Sequence, residues 1–377
     1  MIAHEQKQIG RKEIRGWLRI AVLLIPIVIQ FSLVSLASGK ESQEIGGGCP
    51  TILTYGNTIH CTLDFAGETD SFTFTASVGD RVYVRVVKTV GAMTPFQEII
   101  RPGGTSLCKT IIGEISCVID SEGTHTLLIN DFGGTDTGAY SLYIQKLNDP
   151  VGCTAISFGN PPTSGAIPET GGTYCFTFSL ETNDRVRSLV VKTSGTITPF
   201  EEIVRPDGTT LCENIVGEIS CTADMAGSYT LLINDFGGTD IGDYALYVQR
   251  LNQPVGCTAI SFSGLPSTGT ITAAAETDCF TFNGKAGDQI RVRVVKTAGA
   301  ITPFQEVVTP DGTTLCKTIV SEATCQIQSD GPHTILVNDF GNTDSGTYQL
   351  TLLCLTAPCG LPLTIFTYLP FIILDKP

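Results

Sequence analysis

Aspartate recurs in this chain at the spacing where chemistry is easiest to imagine. The string Asn-Asp-Phe-Gly-x-Thr-Asp occurs three times and pairs Asp131 with Asp136, Asp235 with Asp240, and Asp339 with Asp344. Hard carboxylate oxygens on a glycine loop suit calcium, although the spacing is not that of an EF-hand. Asp and Asn also close tight turns through their own backbone. The structural turn is the preferred reading, and calcium is the one cofactor that competes with it.

Other residues with chemical potential argue against catalysis. His60 has no counterpart in the repeats described below, while His125 and His333 align with Tyr229, as a half-exposed strand position accepting either ring would. Nucleophile-elbow, zinc-protease, phosphate-loop and dinucleotide fingerprints do not occur. Lys88, Lys192 and Lys296 stand ten residues before Glu98, Glu202 and Glu306. Partly buried ion pairs are the preferred reading of that spacing, and a ligand-binding pair is the alternative. Phe132, Phe236 and Phe340 read as aromatic caps folded onto their own core, or as exposed anchors for a polymer or partner. The only tryptophan, Trp17, lies in the leader, so carbohydrate stacking would rest on Tyr and Phe alone.

The 14 cysteines are even in number, and no Cys-x-x-Cys or His-rich partner set points to zinc. Cys108/Cys117, Cys212/Cys221 and Cys316/Cys325 are each nine apart, flanking a turn-like centre. This places their sulfurs opposite one another on a hairpin. Cys153/Cys175 and Cys257/Cys279 are 22 apart, whereas Cys49/Cys61 are 12 apart and Ser71 stands where the other copies have cysteine. Cys61 and Ser71 are symmetric about Ala66, as cross-strand neighbours on a hairpin would be. Cys354/Cys359 form a terminal staple. Local bridges of this kind contribute roughly 2–4 kcal/mol each.

The elements that must position these residues repeat at one fixed interval. Val-Val-Lys-Thr begins at Val86, Val190 and Val294, and Thr-Pro-Phe at Thr94, Thr198 and Thr302; every offset, including that of the aspartate string, is 104 residues. A period of that length is a whole domain. Phe72-Thr73-Phe74-Thr75 and Arg81-Val82-Tyr83-Val84-Arg85 alternate in the manner of strands, turn signals recur every 8–15 residues, and no amphipathic helix follows residue 37. The fold class is therefore all-β, three tandem antiparallel sandwiches, jelly-roll-like, with local disulfides. The repeats are 49–152, 153–256 and 257–360. Their junctions, Leu147-Asn148-Asp149-Pro150 and Leu251-Asn252-Gln253-Pro254, are short and proline-stiffened, which favours a fixed stack. A fragment 153–256 is expected to fold cooperatively alone.

Residues 1–37 read as a signal peptide. Lys7, Arg11, Lys12, Arg15 and Arg19 precede an apolar run from Ile20 to Leu36, and Ser35 and Ala37 fit a cleavage site. An uncleaved anchor is the alternative, and this segment is the only expected contact with a membrane. Residues 38–48 form a linker. Without the five basic and two acidic residues of the leader, 18 basic and 35 acidic residues remain, a formal charge of −17. That charge repels phosphate backbones, so nucleic acid is excluded as a partner. The tail 361–377 is apolar but proline-broken, and reads as a last strand or a sorting tag.

Ala66-Gly67-Glu68-Thr69-Asp70-Ser71-Phe72-Thr73-Phe74, Val78-Gly79-Asp80-Arg81-Val82, Pro206-Asp207-Gly208-Thr209, Gly227-Ser228-Tyr229-Thr230 and Gly138-Ala139-Tyr140-Ser141-Leu142 together resemble the bacterial pre-peptidase C-terminal domain family. The resemblance covers 49–360. It implies jelly-roll-like, generally non-catalytic modules of secreted proteins, often appended to proteases, though no peptidase domain precedes them here. Thr343-Asp344-Ser345-Gly346-Thr347-Tyr348 also resembles an immunoglobulin tyrosine corner, but Leu350 stands where that fold has cysteine. The expectation is a secreted, extracellular or cell-envelope array with an adhesive, matrix-binding or spacer role toward an extracellular polymer or protein. The alternatives are a calcium-dependent ligand-binding protein and an accessory subunit of a secreted hydrolase.

Overall fold

The computed structural model describes residues 49–359 except 216, 320, 357 and 358. The expected signal peptide, linker and C-terminal tail lie outside the described residues. The first repeat contains β1 (Thr58–Leu63), β2 (Thr69–Ala76), β3 (Arg81–Gly91), β4 (Pro95–Ile100), β5 (Ser106–Thr110), β6 (Glu114–Val118), β7 (Gly123–Asp131) and β8 (Gly138–Lys146). The second contains β9 (Thr154–Ala155), β10 (Thr163–Ile167), β11 (Thr173–Leu180), β12 (Arg185–Lys192), β13 (Pro199–Val204), β14 (Thr210–Ile215), β15 (Gly217–Thr222), β16 (Gly227–Asp235) and β17 (Gly242–Arg250). The third contains β18 (Thr258–Ala259), β19 (Ser267–Ile271), β20 (Thr277–Gly284), β21 (Gln289–Gly299), β22 (Pro303–Val308), β23 (Thr314–Thr318), β24 (Glu322–Gln326), β25 (Gly331–Asp339) and β26 (Gly346–Cys354).

Each repeat folds as a pair of antiparallel sheets. In the first they run β2-β7-β4-β5 and β1-β8-β3-β6, and the same order returns in the other two with β9 and β18 added in parallel at one edge. This is the strand order of a jelly roll. Alternation along the strands supplies the cores. Phe72 and Phe74 of β2, Leu127 and Ile129 of β7, and Val82, Val84 and Val86 of β3 all point into the space between the first two sheets.

The disulfide geometry departs from the hairpin expectation. Cys108 lies on β5 and Cys117 on β6, in different sheets, so this bridge and its counterparts Cys212–Cys221 and Cys316–Cys325 staple the two layers together. Their Cα separations of 6.2–6.5 Å exceed those of directly opposed strand residues. The turn around Ala66 likewise crosses between sheets, because β1 pairs with β8 and β2 with β7. Cys49–Cys61 therefore ends on one sheet, whereas Cys153–Cys175 and Cys257–Cys279 end on the other, on β11 and β20. Cys354–Cys359 completes the set, and none of the cysteines is free.

Burial along the strands reveals how the repeats meet. β7 alternates between buried and half-exposed residues and β21 between buried and more exposed ones, as expected for sheets with one solvated face. β8, β12, β16 and β17 are instead buried through nearly their whole length. The reason is face-to-face stacking. Tyr83, Tyr143 and Leu147 of the first repeat form one buried cluster with Val204 and Leu232 of the second. Leu251 of the second does the same with Val308 and Leu336 of the third. Six sheets thus form one continuous stack, and among the described residues only its first and last sheets carry a solvated outer face.

Candidate functional site

The aspartate loops are turns whose first carboxylate is consumed by the backbone. Asp131 accepts from the amides of Thr94 (2.8 Å), Thr135 (3.0 Å) and Asp136 (3.1 Å). Asp235 accepts from Thr198 (2.8 Å) and Asp240 (3.2 Å), and Asp339 from Thr302 (2.8 Å), Thr343 (3.2 Å) and Asp344 (3.2 Å). The Thr94 amide, with the other donors, holds the Asp131 carboxyl below the usual range. Asp136, Asp240 and Asp344 donate their own amides to this arrangement. Among the described residues no three His, Cys, Asp or Glu side chains converge as a metal site.

Three other expectations are corrected. His125 and His333 are fully buried, not half-exposed, with their rings 5.5 Å from Phe74 and Phe282, where Tyr229 stacks on Phe178 in the second repeat. Phe132, Phe236 and Phe340 are 61%, 57% and 57% exposed. They lean on Phe96, Phe200 and Phe304 of the adjacent strand and do not fold onto their own core. The Lys–Glu pairs do not form: Lys88, Lys192 and Lys296 are exposed, and Glu306 and Glu202 have other partners. The rival tyrosine corner is absent too, because Tyr348 and its counterpart Tyr140 donate to Asp278 and Asp70 on the facing sheet.

What the structure assembles instead lies at the junctions. His60 of β1 joins two residues that no sequence pattern linked to it: Nδ1 lies 2.9 Å from Ser141 Oγ on β8, and Nε2 lies 3.0 Å from Glu169 Oε2 in the second repeat. Serine, histidine and carboxylate in series invite a comparison with a hydrolytic triad. Ser141, however, is only 1% exposed, and its Oγ donates at 2.7 Å to the carbonyl of Thr170. It lies beneath Gly171, whose φ is +74° and where any Cβ would come within 2.4 Å of the serine. A nucleophile needs a substrate beside it; this serine has a neighbouring repeat beside it, and the trio works as a clamp between repeats. Arg85 reinforces the clamp, with Nη2 on the carbonyl of Asp235 (2.8 Å) and Nε on Glu114 (2.9 Å).

The second junction uses the same positions differently. Arg187 takes the place of Tyr83 and gives both terminal nitrogens to Glu306, at 2.7 and 3.1 Å, while Nε contacts Glu218 at 3.0 Å. Burial alone would raise the Glu306 carboxyl, but the hydrogen bonds and charge of Arg187 outweigh it and hold it below the usual range. Glu202, the equivalent residue at the first junction, faces Tyr83 and has no cation. Burial pushes its carboxyl up, and among the described residues the Thr210 hydroxyl donates to it.

One groove at the first junction has room for a ligand. Its volume is about 700 Å³, and Val87, Lys88, Pro95 and Ile112 of the first repeat face Phe200 and Phe236 of the second. No protein-family model matches the sequence, and no curated protein matches it. Among solved structures, similarity is found to PliG of Aeromonas hydrophila, a periplasmic inhibitor of g-type lysozyme (13% identity, 26% of this chain, 95% of that chain, TM-score 0.22). It is also found to the CUB1-EGF-CUB2 domain of human MASP-1/3 (8% identity, 52% and 100%, TM-score 0.18). A third is Lac15 from a marine microbial metagenome (13% identity, 78% and 87%, TM-score 0.18). TM-scores at this level carry no argument about this chain.

Proposed function

We propose that the chain is a secreted, non-catalytic spacer of three pre-peptidase C-terminal-like modules, adhesive or matrix-binding at its surface toward an extracellular polymer or protein. The observation that carries this reading is the burial of four of the six sheets on both faces, which joins the repeats into one stack instead of leaving them as beads on linkers. A stack of this kind holds its two ends at a fixed separation, which is the mechanical requirement of a spacer. Seven disulfides add persistence and need an oxidising compartment. The linkers support the same reading. Gln145 and Gln249, both buried, hold the chain after each repeat by bonding both the amide and the carbonyl of Val151 and Val255, at 2.8–3.1 Å.

Small-angle scattering of the secreted protein tests the proposal. The expected result, at a dilution where single chains predominate, is one narrow distribution of interatomic distances matching the six-layer stack. A broad, flexible distribution would remove the spacer role, and a hydrolytic activity abolished by His60→Ala or Ser141→Ala would remove the non-catalytic one.

A further inference from the structure

The two solvated end faces of the stack keep the Arg–Glu and Leu–Val–Leu positions of its second junction, while Arg293, Gln349 and Thr351 stand where that junction has Leu189, Ala245 and Tyr247. On the last sheet, Arg291 occupies the place of Arg187 and Leu355 that of Leu251. On the first sheet, Glu98 occupies the place of Glu306, and Ile100 and Leu128 those of Val308 and Leu336. Within the chain these positions are already an established contact: Leu251, Val308 and Leu336 form one buried cluster, and Arg187 grips Glu306 in bidentate fashion. The end faces keep the ingredients and lack the partner. Leu355 is 39% exposed at one end of the stack, and Ile100 and Leu128 are half-buried at the other. Arg291 repeats the anchoring of Arg187 as well, since its Nε contacts Glu322 at 3.2 Å as that of Arg187 contacts Glu218.

We propose that the last sheet of one copy docks on the first sheet of a second copy, so that the chain assembles head to tail into a linear filament. Arg291 of one copy pairs with Glu98 of the next, and Leu355 packs on Ile100 and Leu128. Two things select a second copy over any other occupant: the contact continues an interface the chain already makes, and its charges are complementary. Joining two different faces gives a heterologous contact, which extends without closing unless the rotation per copy brings a ring together. The filament would continue the spacing of the internal stack, with each chain contributing three modules.

Sedimentation velocity of the purified secreted protein over a range of concentrations tests this. The expected result is a concentration-dependent series of species, with Arg291→Glu and Glu98→Arg each weakening association by about a hundredfold or more, as truncation of a buried charge pair does. The double variant, which exchanges the charges, restores it. Because both side chains sit on solvated faces, the melting temperature of each variant should match that of the parent. Leu355→Ser provides a second probe that leaves the charges alone and should also weaken association. A protein that stays monomeric at every concentration, or one whose association ignores all of these substitutions, overturns the assembly. In the second case a contact away from the two end faces accounts for the association. Monomeric behaviour with an intact stack would leave the spacer role standing, so the two proposals fail separately.

Discussion

The two junctions are built at equivalent positions of one repeat and reach opposite electrostatic solutions. At the first, a polar clamp of His60, Ser141 and Glu169 sits at the rim while Glu202 is half-buried opposite a tyrosine with no cation. At the second, Ser164, Ala245 and Ala273 replace the clamp, and the charge moves inward as Arg187–Glu306. Ala275 replaces Gly171 in the same left-handed conformation and packs with Ala245 and Leu189 into a buried apolar cluster. Asn160 adds a polar contact from the other side, its Nδ2 donating to the carbonyl of Thr277 at 2.9 Å. Stacking two sheets requires apolar contact across the middle, and Leu147/Val204/Leu232 and Leu251/Val308/Leu336 provide it in both. The polar groups around that contact are free to vary provided each one finds a partner, and at Glu202 the partner is incomplete.

Breaking the ion pair at the second junction should have the largest effect. Arg187→Ala leaves Glu306 buried without its bidentate partner and is expected to destabilise the protein by about 3 kcal/mol in denaturant unfolding. Replacing both partners with leucine or methionine should recover most of that loss. If Arg187→Ala proves neutral, the junctions do not differ in the way described.

The next effect lies inside the second sandwich. Glu201 is buried where the first and third repeats have Gln97 and Gln305, and burial pushes its carboxyl up to about 8. A raised carboxyl binds its proton in the folded state, so stability should fall as pH rises from about 4.3, the unfolded value, to about 8, the folded one. Glu201→Gln is expected to abolish that slope and to gain on the order of 2 kcal/mol near pH 7. A pH-stability profile unchanged by the substitution would contradict the burial.

Smaller effects separate the junctions by sign. Glu202→Gln should stabilise slightly, by up to about 1 kcal/mol at neutral pH, because a half-buried charge with no cation is removed. Glu306→Gln should destabilise. Acidification should act in opposite directions as well. The penalty at Glu202 is absent below the unfolded value of about 4.3 and grows as pH rises above it. The contribution of Glu306 is complete above that value and is lost as pH falls through its lowered folded value. Amide hydrogen exchange at residues 229–234 and 333–338 should therefore diverge on acidification, and parallel behaviour would erase the contrast. His60→Ala, which removes a half-exposed pair, should cost only about 0.5 kcal/mol. Smallest of all, calcium or a chelator should leave the melting temperature unchanged, since the carboxylates of Asp131, Asp235 and Asp339 are already occupied by amides. A chelator-sensitive shift would return calcium to these loops.

The middle repeat shows where sequence reading runs out. The fragment 153–256 contains a complete core and both its staples, which the cysteine spacing and the 104-residue period made plain. Its outer faces carry Val204, Leu232, Leu189 and Tyr247, all buried only because the neighbouring repeats cover them. Excised, that fragment exposes both faces, and the structure favours aggregation or self-association over the well-behaved domain expected from sequence.

The fold class, the 104-residue repeat and the partners of every cysteine follow from features local to the chain: alternation with period two, turn residues, and fixed spacing. The near-continuous apolar character of Thr126-Leu127-Leu128-Ile129 and its counterparts was visible as well, but a short apolar run does not reveal what covers its second face. Only the tertiary structure decided that β5 and β6 separate into different sheets, so that a nine-residue spacing becomes a staple between layers instead of a hairpin rung. It also decided that Glu306 meets Arg187, 119 residues away, and not Lys296, ten residues away. Strand pairing and sheet stacking join residues through space at distances along the chain that no local pattern encodes. His60 found its role by the same route, its partner being supplied by the neighbouring repeat.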